Sequence, residues 1–146
     1  MKVLHINYSD SSGGAEEFAL DLSSKLEGST LLVKTKLTNS SHVIELPRSN
    51  YSKFLGFVDT LIWKLGWKSS IRNTLGRQDS WHNSMSILSE LPAYKSCDLV
   101  HLHNLHGEFF DFAAISKIAL EKPIVWTLHD EWILTGGEGY VVKGQS

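Results

Sequence analysis

Hydrophobic and polar positions along this chain switch between a period of two and a period near four, and the switching predicts strands alternating with helices. A β-rich run from Lys2 to Tyr8 breaks at Ser9-Asp10-Ser11-Ser12-Gly13-Gly14. Ala15 to Leu26 then reads as a helix: Phe18, Leu22 and Leu26 recur every fourth position, with Ala15 and Ala19 one position along. Ser29 to Leu37 reads as a second strand, Thr38 to Ser41 as a loop, and His42 to Leu46 as a short third strand closed by Pro47. Ser84 to Leu91 is a short helix ended by Pro92. Asp98 to Asn104 is a strand, Glu108 to Leu120 a helix, and Ile124 to Leu128 a further strand parallel to the one before it. This order favours an α/β fold: a Rossmann-like, doubly wound, mainly parallel sheet.

The middle of the chain follows a different pattern. Tyr51 to Trp67 is a wide helical stretch rich in aromatics, with Lys53, Lys64 and Lys68 around it. Packing against the core explains it most simply. A helix lying at a membrane surface is the alternative, because aromatics and lysines on one amphipathic segment suit a lipid interface. Ser69 to Asn83 is polar and reads as a connector, so residues 49–91 form a helical and connecting insertion within a single domain.

Composition narrows the class. A chain of 146 residues buries enough surface for one real core, about 68–70% of what its unfolded form exposes. A net charge of −2 gives no reason to expect a nucleic-acid partner. The lone Cys97 rules out an internal disulfide framework and suits a reducing compartment. The opening apolar run is too short for a signal peptide, and nothing reaches transmembrane length, so a cytoplasmic protein is expected.

Candidate chemistry gathers at the predicted strand ends. Ligands of open α/β sheets bind outside the carboxyl ends of strands, where loops present polar groups over a rigid base. The Gly13-Gly14 turn before a helix N-terminus is a candidate anion or hydroxyl site, since unpaired backbone N–H groups point outward there. It matches neither G-x-G-x-x-G nor a Walker loop, and two adjacent glycines also serve as a plain turn needing positive φ. His101 and His103 share one face of their strand, and His106 lies beyond its end. Three histidines invite a zinc reading, but no cysteine or carboxylate falls nearby at a ligand-like spacing, so no metal is expected. Of the strand pair, His103 is nearer the strand end and is expected to face a cleft. The last strand delivers His129, Asp130 and Glu131, followed by Thr135-Gly136-Gly137.

Three blocks together resemble a known family. They are His5-Ile6-Asn7 with Ser12-Gly13-Gly14-Ala15, then Asp98 to Asn104 with His106-Gly107, then Val125-Trp126-Thr127-Leu128-His129-Asp130 with Trp132 and Thr135-Gly136-Gly137. In order and spacing they are similar to the N-terminal domain of family-4 glycosyltransferases, the retaining, GT-B-fold enzymes of bacterial polysaccharide and lipopolysaccharide assembly. The blocks cover about a third of the chain, and the stretch from Ser49 to Leu91 carries none of the likeness.

The resemblance implies two Rossmann-like domains across a cleft. The N-terminal one holds a sugar or lipid-linked acceptor and the C-terminal one a nucleotide-sugar donor, with no further cofactor and no essential metal. Gly13 and Gly14 would lie over the donor phosphates and the acceptor, His103 and His106 beside them. His129 would contact the donor sugar near the reacting carbon, with Asp130 next to it. It also implies that residues 1–146 are one incomplete domain, inactive without the donor-binding half and its Glu-x7-Glu segment. Two other classes stay open: a stand-alone carbohydrate- or nucleotide-binding module, and a flavodoxin-like or Rossmann oxidoreductase, against which the missing G-x-G-x-x-G argues.

Overall fold

Strand β1 (Val3–Ser9) lies at the centre of the sheet because both of its faces are buried. The computed structural model describes residues 1–47, 84–106 and 110–135. Four further strands join β1: β2 (Thr30–Thr35), β3 (Val43–Glu45), β4 (Leu99–Leu102) and β5 (Ile124–Trp126). They form one sheet in the order β3-β2-β1-β4-β5, and every neighbouring pair is parallel. The fold is Rossmann-like α/β, as the alternating pattern predicts. Its order reverses at β1: the chain builds outward through β2 and β3 on one side, then returns to β4 and β5 on the other. That reversal makes a crevice at the carboxyl ends of β1 and β4.

Register sorts the side chains onto two unlike faces. Leu4, Ile6, Leu32, Val100 and Leu102 point to one face, where Leu88, Phe110, Ala114 and Ile118 complete the larger core. Those residues come from α2 (Ser84–Glu90), α4 (Phe112–Glu121) and the turn before α4. The opposite face carries Leu31, Val33 and Val43 against Ala19 of α1 (Gly14–Lys25). On that face β1 and β4 present His5, Asn7, His101 and His103 instead of aliphatic residues. Half of one sheet face is therefore polar, and the apolar core on the other face carries most of the burial.

Several local expectations are corrected. The buried face of α1 is built on Ala19 and Ser23, whereas Phe18 is 47% exposed and Leu26 36%. Small side chains let the helix approach the sheet, and Phe18 extends past the edge of that contact. α2 stops at Glu90, just before Pro92 as expected, and Pro92 also opens α3 (Pro92–Ser96), where its missing N–H costs nothing in the first turn. The helix expected from Glu108 begins at Phe112, with Asp111 accepting a hydrogen bond from the Ala113 N–H at 2.9 Å as its N-cap. A short helix that was not expected, α5 (Trp132–Thr135), follows the polar bend after the last strand. The helix and membrane-surface readings of Tyr51 to Trp67, the connector after it and the Gly136-Gly137 turn lie outside the described residues. Among the described residues no helix is long and apolar enough to cross a membrane.

Two polar anchors hold the edges. Buried Asp10, just after β1, accepts from the Leu37 N–H at 2.6 Å, the Thr38 N–H at 3.0 Å and the Thr38 hydroxyl, tying the loop after β2 to the central strand. Burial pushes this carboxyl up, but the bonds from Thr38 and Leu37 outweigh it and hold the group below its usual range. Asp10→Ala would strand two backbone donors and is expected to cost about 2–4 kcal/mol; urea unfolding checks this, and a loss within error of zero would remove Asp10 as an anchor. On the far side of the sheet Cys97 is buried, its Sγ donating to the Tyr94 carbonyl at 3.2 Å, and burial pushes its thiol up.

Candidate functional site

Parallel pairing places His5 directly across from His101, and the ladder runs past β4, where the His103 N–H donates to the Ile6 carbonyl at 2.9 Å. Three imidazoles therefore share one face over two adjacent strands. The His101 and His103 ring centroids lie 4.2 Å apart, and the His5 ring sits 5.1 Å from His101 and 5.5 Å from His103. β5 is extended by the Thr127 N–H bonding the Leu102 carbonyl at 2.9 Å, which carries Thr127 and His129 to the same place. His101 Nε2 meets Thr127 Oγ1 at 2.8 Å.

The rings are linked end to end. His5 Nδ1 lies 3.2 Å from His103 Nε2, and His103 Nδ1 lies 3.1 Å from His129 Nε2. Phe18 closes over the outer part, its ring edge-on to His129 at 5.5 Å and to His103 at 6.1 Å. His5 and His103 are almost wholly buried, whereas His129 is half-buried. Desolvation, reinforced by neighbouring imidazoles, lowers His5 to about 4 and His103 to about 3, and the same cause lowers His101. At neutral pH these three are uncharged.

A second polar group lines the rim. His106 Nε2 lies 3.2 Å from Asp130 Oδ2, the Tyr8 ring stacks on His106 at 6.3 Å, and the Lys34 ammonium sits 4.9 Å from the Tyr8 centroid. Asn7 braces the crevice, accepting from the Asn104 N–H at 3.0 Å and donating to the Ser9 carbonyl at 2.9 Å. Trp126 Nε1 donates to the His103 carbonyl at 2.9 Å.

The glycine loop departs from its expected geometry. Gly13 is extended at φ −176°, and a Cβ on Gly14 would meet nothing within 4 Å; the left-handed residue of this turn is Ser12, at φ 99°. Gly13 takes the N-cap position of α1 with no side-chain cap, leaving first-turn N–H groups open. Glu16 and Glu17 already place negative charge at that end. A neutral hydroxyl is therefore better matched to this helix end than a diphosphate.

The structure brings His103, His129, His106 and Asp130 to the carboxyl edge of β1, β4 and β5, with the Gly13-Gly14 turn on the strand β1 side. His103 does not face a cleft, as its place near the strand end suggested. It is the buried middle of the chain, and His129 is its partly exposed end. His5, Asn7 and Thr127, which stand in the blocks of the resemblance with no role assigned to them, and Phe18, which reads only as part of the α1 stripe, also belong to the site. That His5 stands opposite His101 depends on the register of β1 with β4, which a strand's own sequence does not show.

His5, His101 and His103 each offer a ring nitrogen, all within 4.8 Å of one another, so a cation could sit among them. Both ring nitrogens of His103 are engaged, so it would have to break the His5–His103 contact or the His103–His129 one, and among the described residues no carboxylate joins the trio to offset its charge. No protein family, curated protein or solved structure matches the chain.

Proposed function

We propose that this chain is the acceptor-side domain of a retaining glycosyltransferase, which moves a sugar from a nucleotide-sugar donor to an acceptor hydroxyl. The observation that carries the reading is convergence. Residues from three separated sequence blocks, Gly13-Gly14, His103-His106 and His129-Asp130, meet at the crevice where the strand order reverses. Neutral imidazoles and an acid-rich helix start suit sugar hydroxyls, which both donate and accept hydrogen bonds. On this reading the donor grip and the groups stabilising the leaving diphosphate come from a second domain outside residues 1–146.

The test is to express the whole reading frame containing this chain and assay nucleoside diphosphate release from a panel of nucleotide-sugars with saccharide and lipid-linked acceptors. Transfer with retained anomeric configuration is expected. Saccharide binding without any transfer would favour the binding module, and a stoichiometric flavin or nicotinamide complex would favour the oxidoreductase.

Gly14→Ala separates ligand contact from folding. Its Cβ meets nothing in the free protein, so the melting temperature should hold or rise, with at most about 1 kcal/mol gained from helix propensity. Acceptor KM is expected to rise severalfold. An unchanged KM would reduce the glycine pair to a turn.

A further inference from the structure

We infer that His5, His103 and His129 form a tautomer-locked relay in which every N–H points outward, so that His129 offers Nδ1–H as a donor to an oxygen-bearing ligand at the crevice. His5 and His103 are then positioning residues, and His129 is the group that touches ligand. Its part in sugar transfer rests on the function proposed above; the tautomer itself does not.

The direction follows from the buried end. A neutral imidazole carries one N–H, and each of the two contacts needs one donor and one acceptor. His5 Nε2 is buried and, among the described residues, has no partner. If the protons pointed inward, that atom would be a buried N–H with no acceptor, the kind of orphan that folded proteins almost never keep. If they point outward, Nε2 is only a bare lone pair, a milder defect. His5 Nδ1–H then donates to His103 Nε2, and His103 Nδ1–H donates to His129 Nε2. That occupies the His129 Nε2 lone pair and leaves its proton on Nδ1. Burial keeps the two inner rings neutral, so neither contact becomes a donor facing a donor near neutral pH. Phe18, edge-on to His103 and His129, shields the outer contact from water.

The ligand class is defined by the exposed end: an acceptor oxygen, from either a sugar hydroxyl or a phosphate. A group offering only donors would be rejected.

The experiment is nitrogen-15 NMR of the histidine-labelled protein at neutral pH, which distinguishes a bare ring nitrogen from an N–H at each position. His129 is expected as the Nδ1–H form by about tenfold or more. In His5→Leu, which removes the first donor, the preference should fall back toward the Nε2–H form that free histidine favours. His5→Asn, whose amide superposes on Nδ1, should restore it. Adding a methyl glycoside or inorganic diphosphate should each be read at His129 Nδ1, and the stronger perturbation identifies the oxygen source.

An Nε2–H His129 in the unmodified protein overturns the relay, as does a preference unchanged in a folded His5→Leu. Cobalt(II) bound by His5, His101 and His103, seen as a d–d absorption lost in His5→Leu, would overturn it as well. If His5→Leu fails to fold, the tautomer of the unmodified protein decides alone. Loss of glycosyl transfer in every assay, with the tautomer intact, would sink the transferase reading and leave the relay standing.

Discussion

Lowering the pH from 7 to about 4.5 should destabilise this protein by roughly 5 kcal/mol, before most carboxylates are protonated. The cause is the buried histidine pair. In the unfolded chain both titrate near 6.5, whereas in the fold His5 is lowered to about 4 and His103 to about 3. Between those values the unfolded state binds more protons than the folded one, so stability is fully present above 6.5 and drains away as the pH falls. Each group removes about 1.4 kcal/mol per pH unit in that window. Two units below 6.5, the pair together cost roughly 5 kcal/mol, comparable to the whole stability of a marginal domain. His101, lowered by the same burial, adds in the same direction. Asp10 adds only further down, because its carboxyl is held below the usual range and its contribution is lost as the pH falls through the folded value. Circular dichroism and tryptophan emission against pH provide the check. Thermal stability that stays flat from pH 7 to 4.5 would mean that the imidazoles take up protons in place.

Replacing His129 by alanine in the full-length protein should lower kcat/KM about a hundredfold or more, the scale of losing one well-placed donor to a developing or bound oxygen. Stability should change far less. His129 is half-buried and its loss leaves His103 Nδ1 without a partner, a penalty of about 1 kcal/mol, or a few degrees in melting temperature. His129→Asn and His129→Gln sharpen the reading, because they place an amide at the Nδ1 and Nε2 positions respectively. Retained activity in the asparagine variant alone would point to Nδ1 as the working atom. A parallel fall in turnover and stability for all three would make His129 a packing residue.

Much of this architecture was legible in the periodicity. Four of the five strands lie within the stretch that the apolar run marked, and β1 runs one residue past it to Ser9, because burial on both faces of a parallel sheet leaves near-continuous hydrophobic runs. The short α4 was found from its pattern; its start moved to the Asp111 cap and its end by one residue, to Glu121. α1 was located, but the wrong stripe was assigned inward. Phe18 and Leu26 read as core by hydrophobicity, yet close approach to the sheet selects Ala19 and Ser23. The chemistry was only partly visible. A strand's own sequence shows that His101 and His103 share a face, but not which histidine on another strand stands opposite, and that fact belongs to register. The separation of His103 from the surface was hidden for the same reason: depth depends on Phe18 and His129, which come from elements far away in the chain. Pro92 marked the end of α2, but the helix that it opens was not visible, because a proline closes one helix and opens the next with equal ease.

Cys97 turns the apolar side of the sheet into a clock. It is the one thiol in the chain, buried between α3 and β4, with its proton held on sulfur by the surrounding hydrocarbon. A thiol reagent can reach it only when that part of the fold opens, so the rate of modification in native buffer counts opening events one molecule at a time. Because the histidines sit on the opposite face, ligand bound at the crevice can slow that rate only by stabilising the sheet as a whole.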